Sequence, residues 1–184
     1  MQTDFLSHDI QSLRNKLLST SFDEKVAEDL FWKLRKKIES LHMIGLFNVD
    51  LSLDNILLDE ENNPKFASLD SAKIIQRDRE RQNALIIEDI FNLGIVLLQM
   101  VTGKCDFERK LLKIIQKGLF DYFWKVVEMQ NNQKFSKELK ELINMMLTIK
   151  RSHRKEKLTI REIFINQSQG QNGTFPTIDS INNY

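Results

Sequence analysis

Between positions 86 and 101 the chain carries Ile86, Ile87, Ile90, Phe91, Leu93, Ile95, Val96, Leu97, Leu98, Met100 and Val101. Wound into a helix, this stretch is apolar in nearly every direction, and such a helix is stable in water only when other elements surround it. The fold must therefore be several elements packed round a central helix, closed by Thr102-Gly103. Glu88, Asp89, Asn92 and Gln99 interrupt the run, so it is expected to be too polar for a bilayer span. At 184 residues the chain has the size of one domain with one core.

The remaining periodicity supplies the surrounding elements. Val26, Leu30, Leu34, Ile38, Leu41 and Ile44 recur every three or four residues, with Lys33, Arg35, Lys36 and Lys37 between them, which predicts a long amphipathic helix ending near Gly45. Ser21-Phe22-Asp23-Glu24 reads as its capping box, with Ser21 as the cap and Glu24 reaching back. Ile10, Leu13, Leu17 and Leu18 predict a shorter helix before it. Further helices are expected at 109–117, 119–128, 137–147 and 160–165, the last behind a second capping box, Thr159 to Glu162.

One small β-hairpin is expected, Asn55 to Asp59 pairing with Lys65-Phe66-Ala67 around a turn at Asn63-Pro64. The polar, charge-dense stretch 71–83 is expected to be a surface loop. After Asn166 the chain turns polar and Gly-containing, which predicts a domain over 1–166 and a loose tail over 167–184. The fold class is therefore mainly α (α+β), a helical bundle round a buried central helix with one small hairpin.

Charge and cysteine content bear on function. Lys plus Arg number 27 against 26 for Asp plus Glu, so no overall field draws the chain to nucleic acid or an anionic membrane, and neither is expected as a partner. The basic run 150–157 is read as a solvated loop. A single cysteine, Cys105, excludes disulfide and zinc frameworks and favours a reducing, intracellular and cytoplasmic setting. His42 and His153 show no metal-ligand spacing, and the opening residues lack the layout of a signal peptide.

On turn chemistry alone, Asp50, Asp54 and Asn55 are turn formers between a helix and the hairpin. In their wider context they do more. The run Leu41-His42, Gly45, Asp50, Asn55-Ile56-Leu57-Leu58-Asp59, then Lys65-Phe66-Ala67-Ser68-Leu69-Asp70-Ser71-Ala72-Lys73, resembles without a gap the catalytic half of a eukaryotic protein kinase. There the pattern reads L-H, a glycine, H-R-D-L-K-P-E-N-I-L-L-D, a hairpin, and K-I-A-D-F-G-S-A-K. Asp89 to Leu97, with Gly94, resembles the family's D-x-W-S-L-G-V helix, and 139–163 with Arg154 resembles its closing helices. The resemblance spans about 9–165 and implies a fold like the kinase C-terminal lobe.

Phosphoryl transfer needs a carboxylate beside the attacking hydroxyl, oxygen ligands for magnesium and a cation on the phosphate, all held in place. The resemblance puts Asp50 at the base position and Asn55 at one metal-ligand position. Ser68 stands where the metal-binding Asp would be, Ser52 where the phosphate-binding lysine would be, Val49 where the loop arginine would be, and Asp70 in place of the D-F-G glycine. Asp89, Gly94 and Arg154 fall at structural positions, Asp89 being the residue that in the family binds the backbone of the catalytic loop.

No G-x-G-x-x-G or V-A-I-K occurs, and the residues before Asp9 are too few for an N-terminal lobe. The resemblance thus implies an inactive, pseudokinase-like binding or scaffold module with no cofactor. The alternative is a serine/threonine kinase, using ATP and magnesium, whose N-terminal lobe is supplied elsewhere or is missing from this sequence. A protein partner or self-association is expected at an uncovered apolar surface near Ile56, Leu57, Phe66 and Leu69.

Overall fold

A computed structural model describes residues 10–106, 113–115 and 117–152. In chain order the elements are β1 (Gln11–Ser12), α1 (Leu13–Ser19), α2 (Glu24–Met43), β2 (Leu46–Phe47), β3 (Ile56–Leu58), β4 (Pro64–Phe66), β5 (Lys73–Ile74), α3 (Arg79–Thr102), α4 (Phe120–Asn131) and α5 (Lys137–Ser152). The chain is mostly helical with small sheets.

The central helix α3 packs chiefly against α5 and α2. Ile90, Leu93, Leu97, Leu98 and Met100 are all fully buried, as a helix apolar all round requires. Contrary to the expectation from its interrupting polar residues, α3 is long and apolar enough to cross a membrane, but most of it is buried inside this fold. It also begins at Arg79, inside the stretch expected to be a loop. The Asp78 carboxylate accepts from Arg81 N at 3.0 Å, and the good helix formers Arg79, Glu80, Arg81 and Gln82 propagate the turn in contact with solvent. The helix ends at Gly103, whose φ of +64° is a left-handed cap.

Where α3 meets α5 the backbones come close. A Cβ placed on Gly94 would lie 2.8 Å from Met146 Cβ, nearer than side-chain carbons ordinarily approach. From α5, Leu139, Leu142, Ile143 and Met146 fill the facing surface. The helices expected at 119–128 and 137–147 exist and run on to Asn131 and Ser152. Expectations for most of 109–117, for 160–165, for Arg154 and for the tail lie outside the described residues.

The α2 helix differs from expectation in its cap and in its stripe. Its N-cap is Asp23, which accepts from Val26 N at 2.8 Å, not Ser21. Phe22 is buried immediately before the cap and fixes the entry of the chain there. The Glu24 carboxylate does not reach back; it accepts from the backbone N of Ser136, 3.2 Å away, and from the Ser136 hydroxyl. Ala27, Leu30, Phe31, Leu34 and Ile38 form the buried face, whereas Val26 and Ile44 are exposed.

Two small sheets take the place of the single expected hairpin. The hairpin β3–β4 is present, with Ile56 opposite Phe66, and β1 adds a third antiparallel strand on the other edge of β3. Separately, β2 pairs with β5, Leu46 opposite Ile74. β1, β2 and β5 are two residues long each, too short to show alternation. At the hairpin turn, Asn62 takes a φ of +56° and Asp59 accepts from the backbone of Asn63 and Glu61. The Asn63 backbone bond holds the Asp59 carboxyl below its ordinary range.

Candidate functional site

The 48–55 loop enters from β2 and leaves into β3, so two sheets fix its ends. Asn48 turns the chain with a φ of +58°. Val49, Leu51 and Leu53 then drop into the core while Asp50, Ser52 and Asp54 face outward, an alternation that locks the loop face up. Val49, 2 % exposed, anchors the loop in the core.

From beneath, α3 holds the loop through Asp89. This carboxylate is completely buried; its Oδ2 accepts from Asn48 N at 2.8 Å and lies 2.8 Å from Nε2 of His42. His42, near the end of α2, stacks on Phe47 with ring centroids 5.0 Å apart. Asp89 therefore ties α2, β2 and the loop to the central helix. The sequence marks His42 as half of the L-H pair in the resemblance and as a histidine without metal-ligand spacing; its partner is 47 residues away, beyond any local pattern.

Asn55 uses both amide hydrogens and one side of its oxygen on the backbone. Its Nδ2 donates to the backbone oxygens of Asp50 and Ser68, each at 2.9 Å, and its Oδ1 accepts from Ser68 N at 2.8 Å. The hydroxyl of Ser68 in turn accepts from Asp70 N at 3.0 Å. Asn55, 8 % exposed, thus clasps the 48–55 loop to the strand that follows the hairpin. Asp50 accepts from Ser52 N at 2.9 Å, and Ser52 presents a short hydroxyl to solvent.

These residues do not fit a magnesium–nucleotide complex. Ser68 contributes a neutral hydroxyl where a hard divalent cation takes a carboxylate, and Ser52 places no cation on a phosphate, so of the expected groups the Asn55 oxygen stands as a lone neutral ligand. The structure brings Asp50, Ser52, Asn55 and Ser68 to one place, sets Asp89 under them, and puts Gly94 apart at the α3–α5 contact.

Beside the loop lies a cleft of about 460 Å³, walled by Asp50 and Ser52, by Asn92 and Gln99 of α3, and by Cys105 and Asp106. Arg14 of α1 also lines it, its Nε 2.9 Å from both oxygens of Asp54. That bond is the main reason the guanidinium pKa rises above its ordinary value. Nothing in the local sequence marks Arg14 for this place, since Asp54 is 40 residues away.

The expected uncovered apolar surface is largely closed. Ile56 is fully buried, Phe66 packs against the core, and Leu57 is half-buried between β1 and β4; of the four, only Leu69 is exposed. β1 and the α1 packing that follows it cover the hairpin edge.

No protein-family profile matches the chain. Among curated proteins it is similar to testis-specific serine/threonine-protein kinase 5 of Mus musculus, at 25% identity over 142 residues, covering 62% of this chain and 37% of that protein. It is also similar to the probable serine/threonine-protein kinase KCC4 of Saccharomyces cerevisiae, at 27% identity over 165 residues, 76% of this chain and 15% of that protein. The ovarian-specific serine/threonine-protein kinase Lok of Drosophila melanogaster matches at 28% identity over 169 residues, 74% of this chain and 33% of that protein. The chain thus spans little more than a third, at most, of the length of these relatives. It is a kinase-like chain, related in sequence to serine/threonine-protein kinases.

Proposed function

We propose that the chain is a kinase C-lobe-like domain without phosphotransfer activity, and that it serves as a binding or scaffold module for a protein partner. The observation that carries this is the loss of charge in the loop: Ser68 and Ser52 stand where phosphoryl transfer requires a carboxylate and a cation, while Asn55 spends both amide hydrogens on the backbone oxygens of Asp50 and Ser68. Removing a single preorganised charge-stabilising donor typically costs about 10²–10³ in rate. Losing several at once leaves Asp50 as a base with nothing to act on. What remains useful is shape: a rigid loop and a cleft beside it, with Leu69 exposed on the adjoining segment.

The test is direct. Purified protein incubated with magnesium, labelled ATP and a general acceptor protein is expected to transfer no phosphate, and millimolar magnesium-ATP is expected to leave its melting temperature unchanged. Magnesium-dependent incorporation that disappears in Asp50→Ala would establish the alternative, an active serine/threonine kinase completed by another chain.

A further inference from the structure

We propose that Arg14 is a latch across the cleft beside the 48–55 loop, and that its ion pairs set how far the cleft opens. This rests on the reading of that cleft as the binding surface. The two walls differ in how they are held. On one side, α1 and the loop form a single body: Arg14 N donates to Leu53 O at 3.1 Å, and the side chain grips both oxygens of Asp54. On the other side stands the segment after α3, where the backbone oxygen of Cys105 accepts from the Gln99 side chain.

Between the walls, Arg14 Nη1 lies 3.5 Å from Asp106 Oδ2. Arg14 is the common member of both pairs and itself lines the cleft. Asp54 and Asp106 are well exposed, with 63 % and 87 % of their side chains in solvent, so the latch sits at the rim, where salt reaches it. A pair in such a position shifts an open–closed balance by a factor of roughly two to five, enough to tune access without locking it.

The chain carries its own reporter, because Cys105 is the sole cysteine of the sequence and lines the same cleft, partly buried. The rate of alkylation by iodoacetamide, a neutral reagent, is measured on the full chain at low and at high salt, with no partner present. Wild-type protein is expected to react about threefold faster at high salt. Arg14→Gln and Asp106→Asn are each expected to react about threefold faster than wild type at low salt, with little further response to salt. Losing the Arg14 cation disfavours the reactive thiolate and losing the Asp106 anion favours it, so rates are compared on the alkaline plateau of the pH profile, where the thiol is fully ionised in every variant; acceleration there reports opening.

Lys137→Gln, which breaks an exposed pair with Glu141 within α5, is the control and is expected to react as wild type does. Equal rates in wild type, Arg14→Gln and Asp106→Asn overturn the latch. So does acceleration in Arg14→Gln alone, which traces to the Asp54 pair within one wall, and so does equal acceleration in Lys137→Gln. Any of these leaves the proposed binding role standing, whereas the expected labelling pattern together with phosphate transfer by the chain would remove the binding reading and keep the latch.

Discussion

Replacing Gly94 by alanine adds one methyl group at the tightest point of the core. The new Cβ would lie 2.8 Å from Met146 Cβ and 3.3 Å from Leu147 Cδ2. Carbon atoms pack best at roughly 3.5–4.0 Å. The Leu147 methyl can turn aside, but Met146 Cβ is fixed to the α5 backbone and no rotamer moves it. Relief requires α5 to withdraw from α3 by an appreciable part of an ångström, along a contact lined by fully buried side chains. Overpacking of this kind costs about 1–3 kcal/mol. Against it stands the better helix propensity of alanine, worth about 1 kcal/mol. The balance is a loss of about 1 kcal/mol, with about 2 as the upper end.

Urea unfolding followed by circular dichroism reads this as a lower midpoint at unchanged slope. Gly103→Ala is the comparison: nothing lies within 4 Å of its Cβ, so its cost is the left-handed backbone alone, about 1 kcal/mol. The two costs overlap in size, so a second-site change separates them. Met146→Gly removes the atom that the added methyl group would strike, and should couple to Gly94→Ala while leaving the effect of Gly103→Ala additive. A Gly94→Ala protein more stable than wild type, or one whose effect adds to that of Met146→Gly without coupling, would refute the close approach of the two helices.

Asp89→Ala should lower the urea midpoint by the equivalent of about 1–3 kcal/mol, because it strands Asn48 N and the His42 ring under the loop, while Asp50→Ala, whose carboxylate meets only Ser52 N at the surface, should change it by less than about 0.5. Burial, then Glu24, Asp29 and Glu138, push the Glu28 carboxyl up to about 7. The folded chain therefore holds a proton there that the unfolded chain has already released, and stability is lost as pH rises from the ordinary carboxylate range through about 7. Since Glu28 is only half-buried, screening keeps the effect to about 1 kcal/mol or less; Glu28→Gln should flatten the pH dependence of the melting temperature, and a profile identical to wild type would contradict it.

What is legible in the sequence follows from range. α3 can be read because its apolar side chains leave no face for water, and the hairpin because Asn63-Pro64 forces a turn between two short apolar runs. The α2 cap lies two positions beyond the expected one because Ser21 and Asp23 are both good caps, and what selects Asp23 is the burial of Phe22. Residues 79–83 resemble a loop in sequence because an exposed helical turn need carry no apolar residue. At the site, resemblance finds Asp50, Ser52, Asn55 and Ser68, but not the bonds that occupy Asn55, since these depend on the hairpin bringing Ser68 back to it. Arg14 and His42 pair across 40 and 47 residues, and nothing local announces such partners.

The carboxylate at the start of α2 also has a bearing on how the chain assembles. Ser136, which accepts from Leu139 N in the first turn of α5, is itself held by Glu24, 112 residues earlier in the chain. The cap of α5 is therefore braced by a residue made long before it, and this contact ties the start of α5 to the start of α2. Loop closure over such a span is entropically slow and comes late. Amides at the two helix starts should then be released from exchange protection together, as one opening event that joins the early and late parts of the described chain.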